Sequence, residues 1–401
     1  MIKGQSRTWE TDRSKSITFI VTKDCQLACK YCYLVGKNSK ERMSWDIAKA
    51  AIDYILGHED DFKEASVIWD FIGGEPFLEV DLIDRICDYI KIEMFKRDHH
   101  WFNSYRFSLS TNGINYDSPK VQAFITKNIK HLSIGITIDG NELKHDLNRI
   151  YKESGKGSYK DVVKNIPLWL SQFPEAATKV TISSEDIPYI AESVLHLYDL
   201  GIHEVNINCV FEDVWKEGDD IIFENELIKL ADAIIDNNLF EDHACSFFQE
   251  HIGRHIDCEN NNSNWCGAGK MLAIDSMGNF YPCMRFAKYS LRNKSAWIIG
   301  DINSGIDSNK LRPFLALDRF SQSAKECLEC EVNGGCAWCQ GENYDAASTP
   351  TVYQRSTAIC LMHKARVRAN NYYWRKLFRK IEQRNLTYKS LSSKKASLID
   401  C

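Results

Sequence analysis

Cys25, Cys29 and Cys32, in the stretch TKDCQLACKYCYL, form a C-x3-C-x2-C triplet with no fourth cysteine nearby. Cysteine thiolates are the usual ligands of iron–sulfur clusters. Three of them can hold three irons of a [4Fe–4S] cluster and leave the fourth open to a small molecule. An open iron on a reducible cluster can grip that molecule and pass it an electron. Tyr31, one residue before the third cysteine, adds an aromatic wall. The blander readings are a zinc knuckle or cysteines buried as small apolar side chains. After the apolar run 67–72 comes Gly73-Gly74-Glu75-Pro76. Its glycines permit close backbone approach to a ligand, and its carboxylate suits a cationic amine.

A second set of cysteines lies far downstream. Cys266 and Cys283 frame WCGAGKMLAIDSMGNFYPC, which reads as two strands around a Met277-Gly278 turn, a hairpin that would bring the two thiols together. Then follow Cys327-x2-Cys330-x5-Cys336-x2-Cys339, and finally Cys360; Cys258 stands just upstream. Zinc ribbons separate their CxxC pairs by about 15–20 residues, whereas five residues intervene here. That spacing suits thiolates serving two neighbouring clusters better than two knuckles on one zinc. His251 and His255, four apart, are expected on a helix surface; the glutamate of a zinc-protease motif is replaced by Ile252.

Together these motifs resemble the radical S-adenosylmethionine (SAM) superfamily, and residues 258–365 resemble the SPASM auxiliary-cluster domain of its peptide-modifying members. The resemblance implies three [4Fe–4S] clusters, one binding SAM at Cys25, Cys29 and Cys32. It implies SAM contacts at Tyr31, Gly73, Gly74, Glu75, Pro76, Ser110, Asn112, Arg149 and Ser183. Cys327, Cys330, Cys336 and Cys360 would hold a distal cluster, and Cys266, Cys283 and Cys339 a proximal one. Cys258 would complete the proximal cluster, or its site would stay open for a substrate thiolate. The family pattern places three residues, not two, between the cysteines matching Cys336 and Cys339. The implied reaction is hydrogen abstraction by a 5′-deoxyadenosyl radical. Frames such as Cys336-Ala337-Trp338-Cys339 look most like maturases that install thioether crosslinks in ribosomally made precursor peptides. Carbon–carbon crosslinking or epimerisation is the alternative. Sulfatase maturation is disfavoured, because Met284 stands where those enzymes carry an aspartate. The implied partners are a precursor peptide and an electron donor such as flavodoxin or ferredoxin.

These residues need a scaffold. From 17 to about 212, short β-branched or aromatic runs alternate with helical patterns, which predicts parallel strands joined by right-handed crossovers. Six such units make an α/β fold: a partial (β/α)6 TIM-like barrel over 15–212, with ligands at the C-terminal ends of its strands. A helical bridge is expected over 213–257, then the cysteine-rich SPASM domain with its hairpin (258–365), then a C-terminal helix and tail (366–401). The 401 residues exceed what one core usually serves. A net charge of −5 gives no support for nucleic-acid binding, and the polar N-terminus lacks the apolar region of a signal peptide. No apolar run reaches membrane-spanning length. A cytoplasmic protein is expected, where clustered cysteines serve as ligands rather than disulfides.

Overall fold

The computed structural model describes residues 14–37, 39–257, 262 and 266–383. Its first half is built on strands β1 (Ser14–Thr22), β2 (Ser66–Gly73), β3 (Tyr105–Thr111), β4 (Leu132–Ile136), β5 (Thr178–Ile182) and β6 (Glu204–Cys209). β1 to β4 pair in chain order, all parallel, and β5 pairs parallel with β6. A single parallel bridge, Thr137 to Lys179, carries the curve from β4 to β5. Helices including α1 (Trp45–Gly57) and α2 (Val80–Lys96) make the crossovers. α1 starts where Ser44 accepts the Ile47 N–H, the cap expected of a serine just before an apolar periodic run.

The two faces of the barrel sheet differ. Ile17, Phe19 and Val21 on β1, with Trp69, Phe71 and Phe107 beside them, are fully buried. Each such side chain contributes about 1.5–3 kcal/mol on leaving water. The opposite face is polar: Thr18, Asp70 and Ser108 are register partners, and Asp70 accepts hydrogen bonds from Thr18 and Ser108. Burial raises the Asp70 carboxyl above its ordinary range.

The stretch expected as a helical bridge does carry a helix, Asp219–Asp236, but then adds β7 (Ala244–Cys245), which extends β6 in parallel. His251 and His255 are not on a helix. Gly253 between them takes φ +79°, and its N–H donates to the Gly334 carbonyl, so the chain turns there. The expected hairpin is present as β8 (Leu272–Ile274) and β9 (Asn279–Tyr281). Its position was not foreseen. β8 docks parallel on β1, pairing Ile17 with Leu272 and Phe19 with Ile274, and β10 (Gly300–Asp301) and β11 (Gly305–Ile306) extend that edge. One eight-stranded sheet therefore runs through both halves. The C-terminal helix starts at Cys360, earlier than expected, and continues to Gln383.

Candidate active site and cysteine clusters

The C-terminal ends of the barrel strands gather most of the residues singled out in the sequence. The loop after β1 carries Cys25, Cys29 and Cys32, none in a disulfide. Burial pushes the Cys25 thiol up to about 12, with the Glu75 charge adding to it, and burial also raises Cys29. Such thiols stay protonated until a metal displaces the proton. Lys37 opposes the rise at both, and Arg149 opposes it at Cys29, so cations face the triplet.

The glycine pair has a structural use that differs from the one expected. A methyl group at Gly73 would lie 2.2 Å from the Thr22 carbonyl oxygen, and one at Gly74 2.1 Å from that of Asp24. The Gly74 and Glu75 N–H groups donate to those same carbonyls, at 3.0 and 2.8 Å. The glycines therefore let the end of β2 close on the cysteine loop. Pro76 opens a short buried 3-10 turn. The Glu75 carboxylate is turned inward: it accepts from Phe77 N (3.0 Å), Thr111 Oγ1 (2.7 Å) and Asn112 N (2.8 Å). It locks β2 to β3 beneath the loop. Asn112 in turn donates to Gln26 Oε1 at 3.1 Å and reaches Cys25 Sγ at 3.9 Å.

Tyr31, Asp139 and Arg149 form a linked group. The Tyr31 hydroxyl donates to Asp139 Oδ2 and accepts from an Arg149 Nη at 2.9 Å. Asp139 Oδ1 also accepts the Thr181 N–H at 3.1 Å. Among the described residues Arg149 Nε is buried with no hydrogen-bond partner, a buried donor left to be satisfied. Ser183 lines a cavity of about 200 Å³ with Lys30, Tyr31, Asn148, Glu212 and Arg292, among others. Ser110 stands apart from this group, its Oγ accepting from Lys179 Nζ at 3.2 Å.

The downstream cysteines fall into two groups. Burial raises Cys266 and pushes Cys283 up to about 12, and the field of Cys339 adds to both. Burial likewise raises Cys327 and Cys336, each of which also feels Cys330 and Cys360. Among the described residues the first group has three cysteines, Cys266, Cys283 and Cys339, and the second has four. Cys258 lies outside the described residues. A single tetrahedral zinc would draw its thiolates to about 3.8 Å from one another. Among the described residues, the group whose ligating atoms come within 4.8 Å is Glu59, His99 and His100, without a cysteine. Sets of three and four thiols are donor sets of the kind that hold iron–sulfur clusters.

Several neighbours escaped the sequence reading. Tyr33, half-buried next to Cys32, feels the charges of both Cys32 and Cys283. Its hydroxyl donates to Met284 Sδ at 3.2 Å, and the Arg285 guanidinium stands 4.5 Å from its ring centre. Arg285 also donates to Glu212 (2.8 Å) and Glu342 (3.2 Å). Tyr33 follows the third cysteine directly, the one signal that could have marked it. Asp139 stands before Gly140 just past β4, with no role assigned from the sequence. Glu212 and Glu342 had no local signature.

Residues 19–183 match the radical SAM superfamily. The chain is 32% identical over 201 residues to an uncharacterized protein of Methanocaldococcus jannaschii, covering 50% of this chain and 64% of that one. It is 22% identical over 352 residues to the radical SAM cyclopropyl synthase TigE of Paramaledivibacter caminithermalis (81% and 67%). To the antilisterial bacteriocin subtilosin biosynthesis protein AlbA of Bacillus subtilis it is 25% identical over 330 residues (80% and 66%). The chain thus spans about two thirds of the length of the curated relatives it matches. Among solved structures it is similar to native anSMEcpe with bound AdoMet and the Cp18Cys peptide. The TM-score is 0.62 at 18% identity, over 90% of this chain and 99% of that one. It is also similar to Streptococcus suis SuiB bound to precursor peptide SuiA, with a TM-score of 0.56 at 16% identity, over 86% and 75%. At these identities the likeness is one of fold: an α/β radical SAM fold with a parallel sheet. Among the described residues no helix is long and apolar enough to cross a membrane.

Proposed function

We propose that this chain, whose residues 19–183 form a radical SAM domain, is a maturase that joins a cysteine sulfur to a carbon in a ribosomally made precursor peptide. The observation that carries the reading is the gathering of the cysteine loop and Gly73-Gly74-Glu75-Pro76 at the strand ends, with Tyr33, beside Cys32, reaching Met284 next to Cys283. A [4Fe–4S] cluster and SAM at Cys25, Cys29 and Cys32 would supply reductive sulfonium cleavage and, through the 5′-deoxyadenosyl radical, hydrogen abstraction. The protein's own residues do the positioning. Arg149, whose Nε has no partner among the described residues, would be free to bind the SAM carboxylate. Tyr31, fixed by Asp139 and Arg149, would wall the adenine side. Glu75 holds β2 to β3 beneath the loop that would receive the amine.

Cys266, Cys283 and Cys339 supply three thiolates and leave a fourth position for Cys258 or for the substrate's own cysteine. Cys327, Cys330, Cys336 and Cys360 supply a full set of four. Met284 offers its sulfur to Tyr33 where sulfatase-maturing enzymes carry an aspartate, which weighs against formylglycine synthesis. The mixed charge of the cavity at the barrel mouth suits a peptide, and an external flavodoxin or ferredoxin would deliver electrons. Similarity to a cyclopropyl synthase favours a second reading, carbon–carbon bond formation on the same scaffold.

Co-expression with a candidate precursor peptide separates the two. Both products lose hydrogen mass, but a thioether removes a cysteine from alkylation by iodoacetamide and a carbon–carbon bond does not. Changing Cys25, Cys29 and Cys32 together to Ala should abolish 5′-deoxyadenosine formation with SAM and dithionite while auxiliary iron stays bound. Continued formation in that variant would overturn the assignment.

A further inference from the structure

Arg285 and Arg355 both stand beside downstream cysteines, and their surroundings differ. Arg285, beside the three-cysteine group, is bonded to two carboxylates, Glu212 and Glu342, so its charge is offset. Arg355, beside the four-cysteine group, directs its Nη2 at sulfur instead. That nitrogen lies 2.9 Å from Cys336 Sγ and 3.4 Å from the Cys336 carbonyl oxygen. The guanidinium carbon stands 4.4 Å from the ring centre of Trp338, which holds the planar cation by its face while its edge meets the sulfur. Its field opposes the effect of burial at both Cys327 and Cys336. Arg366 also lies near Cys336, but it donates to the carbonyls of Ser246 and Phe247.

A hydrogen bond to a ligating sulfur and a nearby uncompensated positive charge both favour the more negative, reduced state of an iron–sulfur cluster. From this asymmetry we infer that Arg355 is a positioning residue that raises the reduction potential of the cluster at Cys327, Cys330, Cys336 and Cys360. That cluster is thereby poised to hold an electron in preference to the one at Cys266, Cys283 and Cys339. The inference rests on assigning those four thiolates to one cluster, as proposed above.

The test is an EPR-monitored redox titration of the anaerobically reconstituted holoenzyme. The distal signal is first identified as the one lost, with its iron, in the Cys327→Ala/Cys330→Ala double variant. Should that double variant keep all its iron and every signal, the cluster assignment itself fails. In Arg355→Gln the distal signal should titrate at a more negative potential than in wild type, with Arg355→Lys falling between. Trp338→Leu keeps the charge but removes the surface it lies on, and should shift the midpoint the same way by less. It serves as the second probe if Arg355→Gln does not load iron. A distal midpoint equal to wild type in a fully loaded Arg355→Gln, or in Trp338→Leu where that is the only loaded variant, overturns the role of Arg355 while leaving the cluster assignment standing.

Discussion

A methyl group at Gly74 would meet the Asp24 carbonyl oxygen at 2.1 Å and Cys25 Cβ at 2.9 Å, and the first of these is backbone that cannot rotate away. Gly74→Ala should therefore force the cysteine loop off β2. We expect a loss of about 1–3 kcal/mol from overpacking, seen in thermal melts, and loss of SAM cleavage. Gly57→Ala, whose nearest neighbour is the Arg97 side chain at 3.7 Å, is the control and should melt at or above wild type. If both variants melt alike, the close approach is not what the glycine is for. Asp139 acts through a different physics. It is fully buried and shares the Tyr31 hydroxyl with the buried Arg149. Neutralising it in Asp139→Asn removes a negative charge that reaches the guanidinium through the Tyr31 hydroxyl, and should cost about 1.5–3 kcal/mol, as for a hydrogen bond to a charged group. A bound SAM carboxylate would restore part of that. SAM should therefore raise the melting temperature of Asp139→Asn by more than that of wild type. Equal shifts would separate Arg149 from the SAM carboxylate.

Strands β1 to β4 were legible because each is a run of β-branched and aromatic residues ended by polar residues or glycine, and α1 because Ser44 caps an apolar repeat. The docking of β8 on β1 was not legible. Leu272–Ile274 is three residues long, and nothing local tells such a strand which edge, some 250 residues away, it will join. The histidine spacing at 251 and 255 misled for a complementary reason: the period of four is broken by the left-handed Gly253, packed against Val367. The cysteine groups were expected from resemblance, whereas their neighbours Tyr33, Arg285 and Arg355 come together with them only in space. The hairpin makes a testable unit. Gly278 turns it at φ +82°, where a side chain costs about 1–2 kcal/mol, and an added Cβ would lie 2.8 Å from Ile302 Cδ1. Gly278→Val should loosen Cys266 and Cys283, which flank the hairpin, without touching the barrel triplet. Iron content should then fall by one cluster's worth while 5′-deoxyadenosine is still made. If iron is unchanged, the hairpin does not set those two thiols.

At the scale of the whole molecule, the cysteine-rich half is fastened to the barrel twice: β8 lies on β1, and the C-terminal helix returns across Asp219–Asp236. The second fastening mixes two kinds of contact. Tyr373 is 3% exposed and stacks on Phe248, ring centres 4.4 Å apart and 8° from parallel. Lys376 reaches Asp232 at 2.7 Å and Asp236 at 3.0 Å from a partly exposed position. Solvent-exposed pairs of that kind contribute about 0.2–1 kcal/mol, whereas truncating a buried aromatic costs about 3–5 kcal/mol. The apolar contact therefore decides how tightly the halves hold. Lys376→Ala should leave the melting temperature nearly unchanged and Tyr373→Ala should lower it by several degrees. Because one sheet joins the two halves that carry the cysteine groups, bleaching of the iron–sulfur absorbance and unmasking of the tryptophans should move together in Tyr373→Ala. Two separated transitions in that variant would mean that the halves fold independently and that the spacing of their cysteine groups is not fixed by the sheet they share.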